Sequence, residues 1–319
     1  MQGLMAIYRK ELSDHFSSYR FVILFALIAM VSFITTYMAG IHLKEGLEGV
    51  AKPKFVFLML FSTTGALFSM VQFVAFFGPL MGIVLGFDSI NRERAQGTLI
   101  KLVCQPIYRD SVINGKFLAG VTTITIMLVA IVMIISGFGL TLLGVVPGIE
   151  EIWRLITYII ISILYVSFWL GLSILFSIFF RSIATSALAS VALWIFLSFF
   201  IPLGAEVMGN TMAPVDRQEE ASSEKIIKNA RIKEAVSLFS PMTLYSNSST
   251  TIIEPMRKTA SKLVLMGRME SLSASRFQNP LPLGQSIIVI YPYLVALVAV
   301  TLICFAISYT VFMMQEIRT

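Results

Sequence analysis

The feature that most constrains this chain is Phe21–Ile41, a run of 21 residues without one charged side chain. A helix rises about 1.5 Å per residue, so such a run covers roughly the 30 Å of a bilayer's hydrocarbon core. Further apolar runs follow at Phe55–Phe87, Phe117–Val146, Ile152–Phe180, Ile183–Leu203 and Ser286–Met313. A transmembrane β-barrel would instead show short segments of alternating polarity, and that pattern is absent. A soluble protein carries about a quarter charged residues. Here the share is 13 %, with a mean hydropathy of +0.84. The fold class is therefore all-α: a polytopic membrane protein with six transmembrane helices.

The net charge is +6. In a membrane chain this reads as basic segments facing anionic lipid rather than as a nucleic-acid surface. Cys104 falls in a polar stretch and Cys304 in an apolar run, so no disulfide is expected between them. The first run is too long for a signal peptide and reads as a retained anchor. Before it, Leu4, Ile7, Tyr8, Leu12, Phe16 and Tyr19 recur at helical spacing among Arg9, Lys10, Glu11 and Asp14. Such a segment suits a helix lying at the membrane interface.

Six spans place both termini on one side. The short segments on that side carry Arg9, Lys10, Arg20, Arg92, Arg94, Lys101, Arg109, Lys116, Arg181 and Arg318, against Lys44, Lys52, Lys54 and Arg154 on the other. The positive-inside rule makes the first side cytoplasmic. The expected organisation is an interfacial helix at 1–20, spans one to five at 21–203, an extracytoplasmic segment at 204–285, and the sixth span with its tail at 286–319. The segment 204–285 reads as a helical cap, with amphipathic helices at Glu219–Phe239 and Glu254–Ala274 joined by the linker SPMTLYSNSST. Within that linker Asn247-Ser248-Ser249 matches a glycosylation acceptor.

Known chemical signatures are few. The spans contain no acid or base that must lie near the bilayer centre, which disfavours a proton- or ion-coupled carrier. Gln72 is the most conspicuous polar side chain within them. Seventeen methionines read as packing filler rather than a soft-metal path. Asn114-Gly115-Lys116-Phe117 lacks the glycine pattern and hydroxyl of a phosphate-binding loop. Neither a catalytic residue nor a metal or cofactor set is expected in this chain. Any energy for transport must come from a partner.

One polar island, Asp88–Lys116, interrupts the apolar pattern. Asp88 is suited to cap a helix starting near Ser89, Gly97 loosens it and Pro106 ends it. This predicts a stiff charged helix on the inner surface, at 88–107. The core R-E-R-x-x-G-T-L at Arg92–Leu99, the step Pro106-Ile107-x-Arg109 and Gly115-Lys116 together resemble the signature of ABC-2 type transporter permeases. Tyr8-Arg9-Lys10-Glu11-Leu12 resembles that family's opening segment. Within the family the chain is similar to the permease subunit of the nitrous oxide reductase maturation (copper-processing) transporter and related bacterial and archaeal exporters.

The resemblance implies a homodimer of this permease in the plasma membrane, working with two copies of a separate ATP-binding subunit that holds ATP and Mg. It implies a connecting helix containing Arg9, Lys10 and Glu11. It also implies a coupling helix on which Glu93 is the central polar contact with the ATPase. Arg92 and Arg94 would flank Glu93, Gly97 would permit close approach, and Thr98 and Leu99 would seat the next turn. The transported substrate is not implied. The competing readings are a membrane-anchored scaffold whose outer segment binds a partner, and a secondary carrier.

Overall fold

The computed structural model describes residues 2–47, 55–62, 69–98, 108–214, 223–256 and 280–315. The architecture is all-α, and six of the described helices are long and apolar enough to cross a membrane. Helix α1 (Gln2–Phe16) is followed after a break at Ser17-Ser18 by α2 (Tyr19–Leu47). A short α3 (Val56–Ser62) precedes α4 (Met70–Gly86), and a turn leads from α4 into α5 (Asn91–Ala95). Then come α6 (Arg109–Leu143), α7 (Ile149–Phe179) and α8 (Ile183–Ile195), the last continuing through a π turn at Phe196–Phe200 into α9 (Ile201–Met212). Helices α10 (Ser223–Ser237), α11 (Pro241–Ile253) and α12 (Leu283–Met314) complete the described chain.

Helix α7 is the axis of the bundle. It packs against α4, α6, α8, α11 and α12, and Arg154, Tyr158, Tyr165 and Trp169 on it are almost wholly buried. Lipid tails are as apolar as leucine, so helices in a bilayer associate through close packing and hydrogen bonds rather than by escape from water. The α4–α7 contact shows how. Gly78, Gly82 and Gly86 form a four-residue repeat down α4. A Cβ on Gly82 would lie 2.6 Å from the Val166 carbonyl, and one on Gly86 would lie 2.0 Å from Ser173 Oγ. Only glycine allows the two backbones so near, and Ser173 Oγ uses the approach to donate to the Gly82 carbonyl at 3.2 Å.

The Phe55–Phe87 run is not one element, contrary to the sequence expectation. Helix α4 starts afresh at Met70, where Ser69 Oγ accepts from Gln72 N–H (3.3 Å) and Gln72 Oε1 accepts from Ser69 N–H (3.1 Å). This reciprocal capping box satisfies two orphan donors. Gln72 therefore has a local structural use. Helix α4 continues through Pro79.

The fifth span also departs from expectation, running through Leu203 as far as Met212. Its π turn ends two residues before Pro202, with Ile201 N–H reaching the Phe196 carbonyl. A proline lacks the donor for the normal ladder and crowds the carbonyl four residues back, so a wider turn is a local accommodation.

Beyond Met212 the chain does not simply cap the bundle. Helix α10 returns along α9, where Asn229 Nδ2 donates to the carbonyls of Gly209 and Ala213, both at 2.7 Å. The residues expected as a linker form α11, whose Tyr245 stacks on Tyr165 of α7 at 4.4 Å between ring centroids. Tyr245 and Ser162 hydroxyls meet at 2.9 Å. Tyr165 lies about 24 Å along α7 from Ile149, using the α-helical rise. Helices α10 and α11 thus enter the bundle from the end that holds the N-terminus of α7. Asn247 sits in this packed helix, between the buried Tyr245 and Ser248, so it is no loop acceptor for a glycan. The second amphipathic helix expected at Glu254–Ala274 lies outside the described residues from 257 onward.

At the rim of the same end, Arg154 ties these parts together. Its side chain is fully buried. Nη1 donates to the Ile252 carbonyl at 2.9 Å and Nη2 to Glu150 Oε1 at 3.0 Å. Nη2 also donates to the Leu281 carbonyl, and the guanidinium lies over the Phe55 ring at 5.7 Å. One side chain therefore joins α7, the end of α11, the approach to α12 and the residue before α3.

Candidate functional site

At the opposite end of the bundle, the turn after α4 brings the polar island against four other helices. The island's helical element is shorter than expected, since α5 covers only Asn91–Ala95. Gly97 closes it in the left-handed conformation, φ +66°, where an L side chain is strained. Leu99, Lys101 and the remainder to Ile107 lie outside the described residues, so the far half of the expected 88–107 helix is not described.

Asp88 does not cap this helix with its side chain. Its carboxylate accepts from Arg20 Nη1 at 2.6 Å, joining α2 to the turn. The buried amides at the start of α5 are met from α7 instead. Ser177 Oγ accepts from Ile90 N–H at 3.0 Å and from Asn91 N–H at 3.1 Å. Asn91 Nδ2 donates to the Ser182 carbonyl, and Thr98 Oγ1 donates back to the Glu93 carbonyl at 3.2 Å.

Glu93 points into the protein. Its Oε1 accepts from Lys116 Nζ of α6 at 3.0 Å and from Lys10 Nζ of α1 at 3.1 Å. Glu11 Oε1 accepts from the same two ammonium groups, at 2.8 Å from Lys116 and 3.2 Å from Lys10. Two carboxylates and two ammonium groups thus form a closed tetrad that joins α1, α5 and α6. Lys116 is 4 % exposed, Glu93 7 % and Glu11 8 %. Such a set is tolerable in a poor solvent because every member meets two opposite charges.

The titration of the two α1 members follows from this geometry. Burial alone would raise the Glu11 pKa, but the Lys116 ammonium followed by Lys10 outweighs it and the value is lowered. Burial likewise pulls Lys10 down, and the Glu11 and Glu93 carboxylates reverse this to leave it raised. His15, one turn beyond Glu11, is lowered chiefly by burial. Beside the tetrad, a cleft of about 810 Å³ opens between α1, the start of α2 and α5, with Asp14, His15, Arg20, Arg92 and Gln96 on its walls.

The opposite flank of α5 is fastened to the end of α12. Arg94 Nη2 donates to Gln315 Oε1 at 2.8 Å, Arg109 Nη1 donates to the Gln315 carbonyl at 3.3 Å, and Gln315 Nε2 donates to the Ile178 carbonyl. Arg92, Gln96 and Gly97 remain exposed, while Thr98 and Arg94 are half-buried.

Of the residues singled out in the sequence, Lys10, Glu11 and Glu93 are brought together. Arg92 and Arg94 lie on α5 with Gly97 and Thr98 just beyond it, and Arg9 is exposed on α1 away from the tetrad contacts. Sequence reasoning did not find Lys116, Ser177 and Gln315 as parts of this assembly. Lys116 was the most readable of them: it lies at the edge of the apolar run that begins at Phe117, where a lysine taken into the bundle needs a partner.

No curated protein matches the chain. The sequence matches the family model described as ABC-2 family transporter protein over residues 5–317, which takes in most of α1, the tetrad, the six spans, α10 and α11. The chain belongs to the ABC-2 family of transporter proteins.

Proposed function

We propose that this chain is the membrane-spanning subunit of an ATP-driven exporter, and that α5 is where it receives force from a separate ATP-binding subunit. The observation that carries this reading is the two-sidedness of α5. One side is exposed through Arg92, Gln96 and Gly97, while the other is locked by Glu93 into an ion tetrad with α1 and α6. A partner pushing on the exposed side would move three helices together, because the tetrad leaves α5 little freedom to yield alone.

In this reading Arg92, Gly97, Thr98 and Leu99 meet the ATPase. Glu93 acts one step behind them, as the strut that passes motion to α1 and α6. Arg94 holds the opposite flank through Gln315. ATP and Mg belong to the partner subunit. Two permease copies and two ATPase copies make the working unit, in the plasma membrane with both permease termini on the cytoplasmic side. Charge counting supports that orientation, since the tetrad end holds most of the short basic segments.

The test is Glu93→Ala in the assembled complex. Hydrolysis should continue while vectorial transport is lost, because the docking face stays and the strut is removed. If transport and hydrolysis both remain at wild-type levels, Glu93 is not the strut. If no ATP-binding subunit assembles with the wild-type chain, the scaffold or carrier readings replace the exporter.

A further inference from the structure

Helix α10 has one side turned away from the bundle, and that side is patterned along its length. Lys225, Lys228, Arg231, Ala235 and Leu238 follow at steps of three and four, which keeps them on one helical face. All five are exposed, as is Phe239 at 75 %, which with Leu238 forms the turn just beyond the end of the helix at Ser237. The cations occupy the first part and the apolar residues the last. Among the described residues Lys225, Lys228 and Arg231 form no ion pair with a carboxylate.

The depth of this face can be read from α12. Glu234 Oε1 accepts from Tyr293 Oη at 3.0 Å, and Tyr293 lies about 15 Å along α12 from Leu283 at the α-helical rise. Lys225 is nine residues back from Glu234, which places it near the outer end of α12. Phe239 lies about 20 Å down. Helix α12 is 32 residues long, about 48 Å, so roughly 9 Å extends beyond a 30 Å hydrocarbon core at each end. The cations then stand at headgroup depth and Leu238 and Phe239 at acyl-chain depth.

We propose that this face of α10 binds an anionic lipid, with a phosphate-bearing headgroup against Lys225, Lys228 and Arg231 and its acyl chain against Leu238 and Phe239. The naming of this leaflet as the outer one rests on the topology proposed above, whereas the lipid binding itself does not. A second copy of the chain is a poorer occupant. A twofold contact through this face would set three cations against three cations, and like charges across an interface disfavour it.

The experiment uses the purified full chain without any ATPase, so failure of the exporter reading leaves it interpretable. Native mass spectrometry is run with equimolar phosphatidylglycerol and phosphatidylcholine of identical chains. The wild type should retain phosphatidylglycerol preferentially. Lys228→Gln should cut that preference on the order of fivefold, and Lys225→Gln with Lys228→Gln and Arg231→Gln should abolish it, following the usual contribution of a cation near an anionic membrane surface. Phe239→Ser should weaken retention of both lipids alike. The proposal is overturned if the wild type shows no preference or if the triple variant keeps it. Displacement of the lipid by excess inorganic phosphate would also overturn it, marking a free-anion site. So would a spontaneous disulfide between copies in Arg231→Cys, marking the face as a subunit contact.

Discussion

Replacing Lys116 by Met removes the one tetrad cation that is shielded from water. In the wild type its ammonium holds Glu11 at 2.8 Å and Glu93 at 3.0 Å, and it is 4 % exposed. Breaking a buried ion pair from one side costs about 3–5 kcal/mol, since the remaining charge is stranded. Here the loss is smaller, because Lys10 still reaches both carboxylates at 3.1 and 3.2 Å. Lys10 is half exposed, however, and one cation between two carboxylates leaves a net negative charge in the cluster. A cost of about 2–3 kcal/mol follows, or roughly a 30- to 150-fold change in the unfolding equilibrium. Thermal unfolding in detergent should show it as a fall of roughly 3–5 °C for a chain of this size. Adding Glu11→Gln and Glu93→Gln to Lys116→Met should recover most of the loss, because no buried charge is then stranded and the remaining Lys10 ammonium is half exposed to water. A Lys116→Met protein that melts with the wild type would refute the buried tetrad. So would a triple variant no more stable than the single one.

Other expectations follow from the same geometry. Arg154→Lys should destabilise nearly as much as Arg154→Met, about 3 kcal/mol or more, because an ammonium cannot reproduce the forked contacts to Ile252, Leu281 and Glu150; limited proteolysis between α11 and α12 reports it. Gly82→Leu should abolish folding outright, since even a Cβ meets the α7 backbone at 2.6 Å, and expression of monodisperse protein is the readout. Gly97→Ala meets no neighbour within 4 Å and should cost about 1 kcal/mol from the left-handed backbone alone, seen as a small drop in melting temperature. For pH, Glu11 is more acidic folded than unfolded, so its stabilisation is present above the ordinary value of 4.5 and is lost as pH falls through the lowered folded value. Lys10 behaves oppositely, with stabilisation complete below 10.5 and lost as pH rises through its raised value. A melting profile should therefore lose the tetrad's contribution at both extremes.

The spans were legible because lipid imposes length and apolarity on any helix that crosses it, and Phe21–Ile41 or Phe117–Val146 satisfy both plainly. Where the reading failed, a local rule was overlooked or a tertiary fact was needed. Ser69-x-x-Gln72 carried the capping-box pattern that splits the second run, but apolar neighbours on both sides concealed it. Residues Ser240–Thr250 read as a polar linker because six of them are Ser or Thr. In the helix Ser248, Thr250 and Thr251 each return their hydroxyl to the carbonyl four residues back, at 2.8, 2.6 and 2.8 Å. Side chains that satisfy themselves in this way can be packed among apolar neighbours. The charged core at Arg92–Leu99 was visible as a site, but which side of α5 faces inward depends on Lys116 and Ser177, distant in sequence. Composition could not order them.

The claim that α5 takes up force from a separate ATPase is tested most directly by what the chain retains from native membranes. Wild-type protein should co-purify with an ATP-binding cassette subunit, identified by mass spectrometry. Arg92→Glu combined with Gln96→Arg should release that subunit while the permease keeps its melting temperature, because both side chains are exposed and outside the tetrad. Loss of the ATPase with intact melting is the result this account predicts. Retention of the ATPase by the double variant, or absence of any such subunit from the wild type, would contradict it.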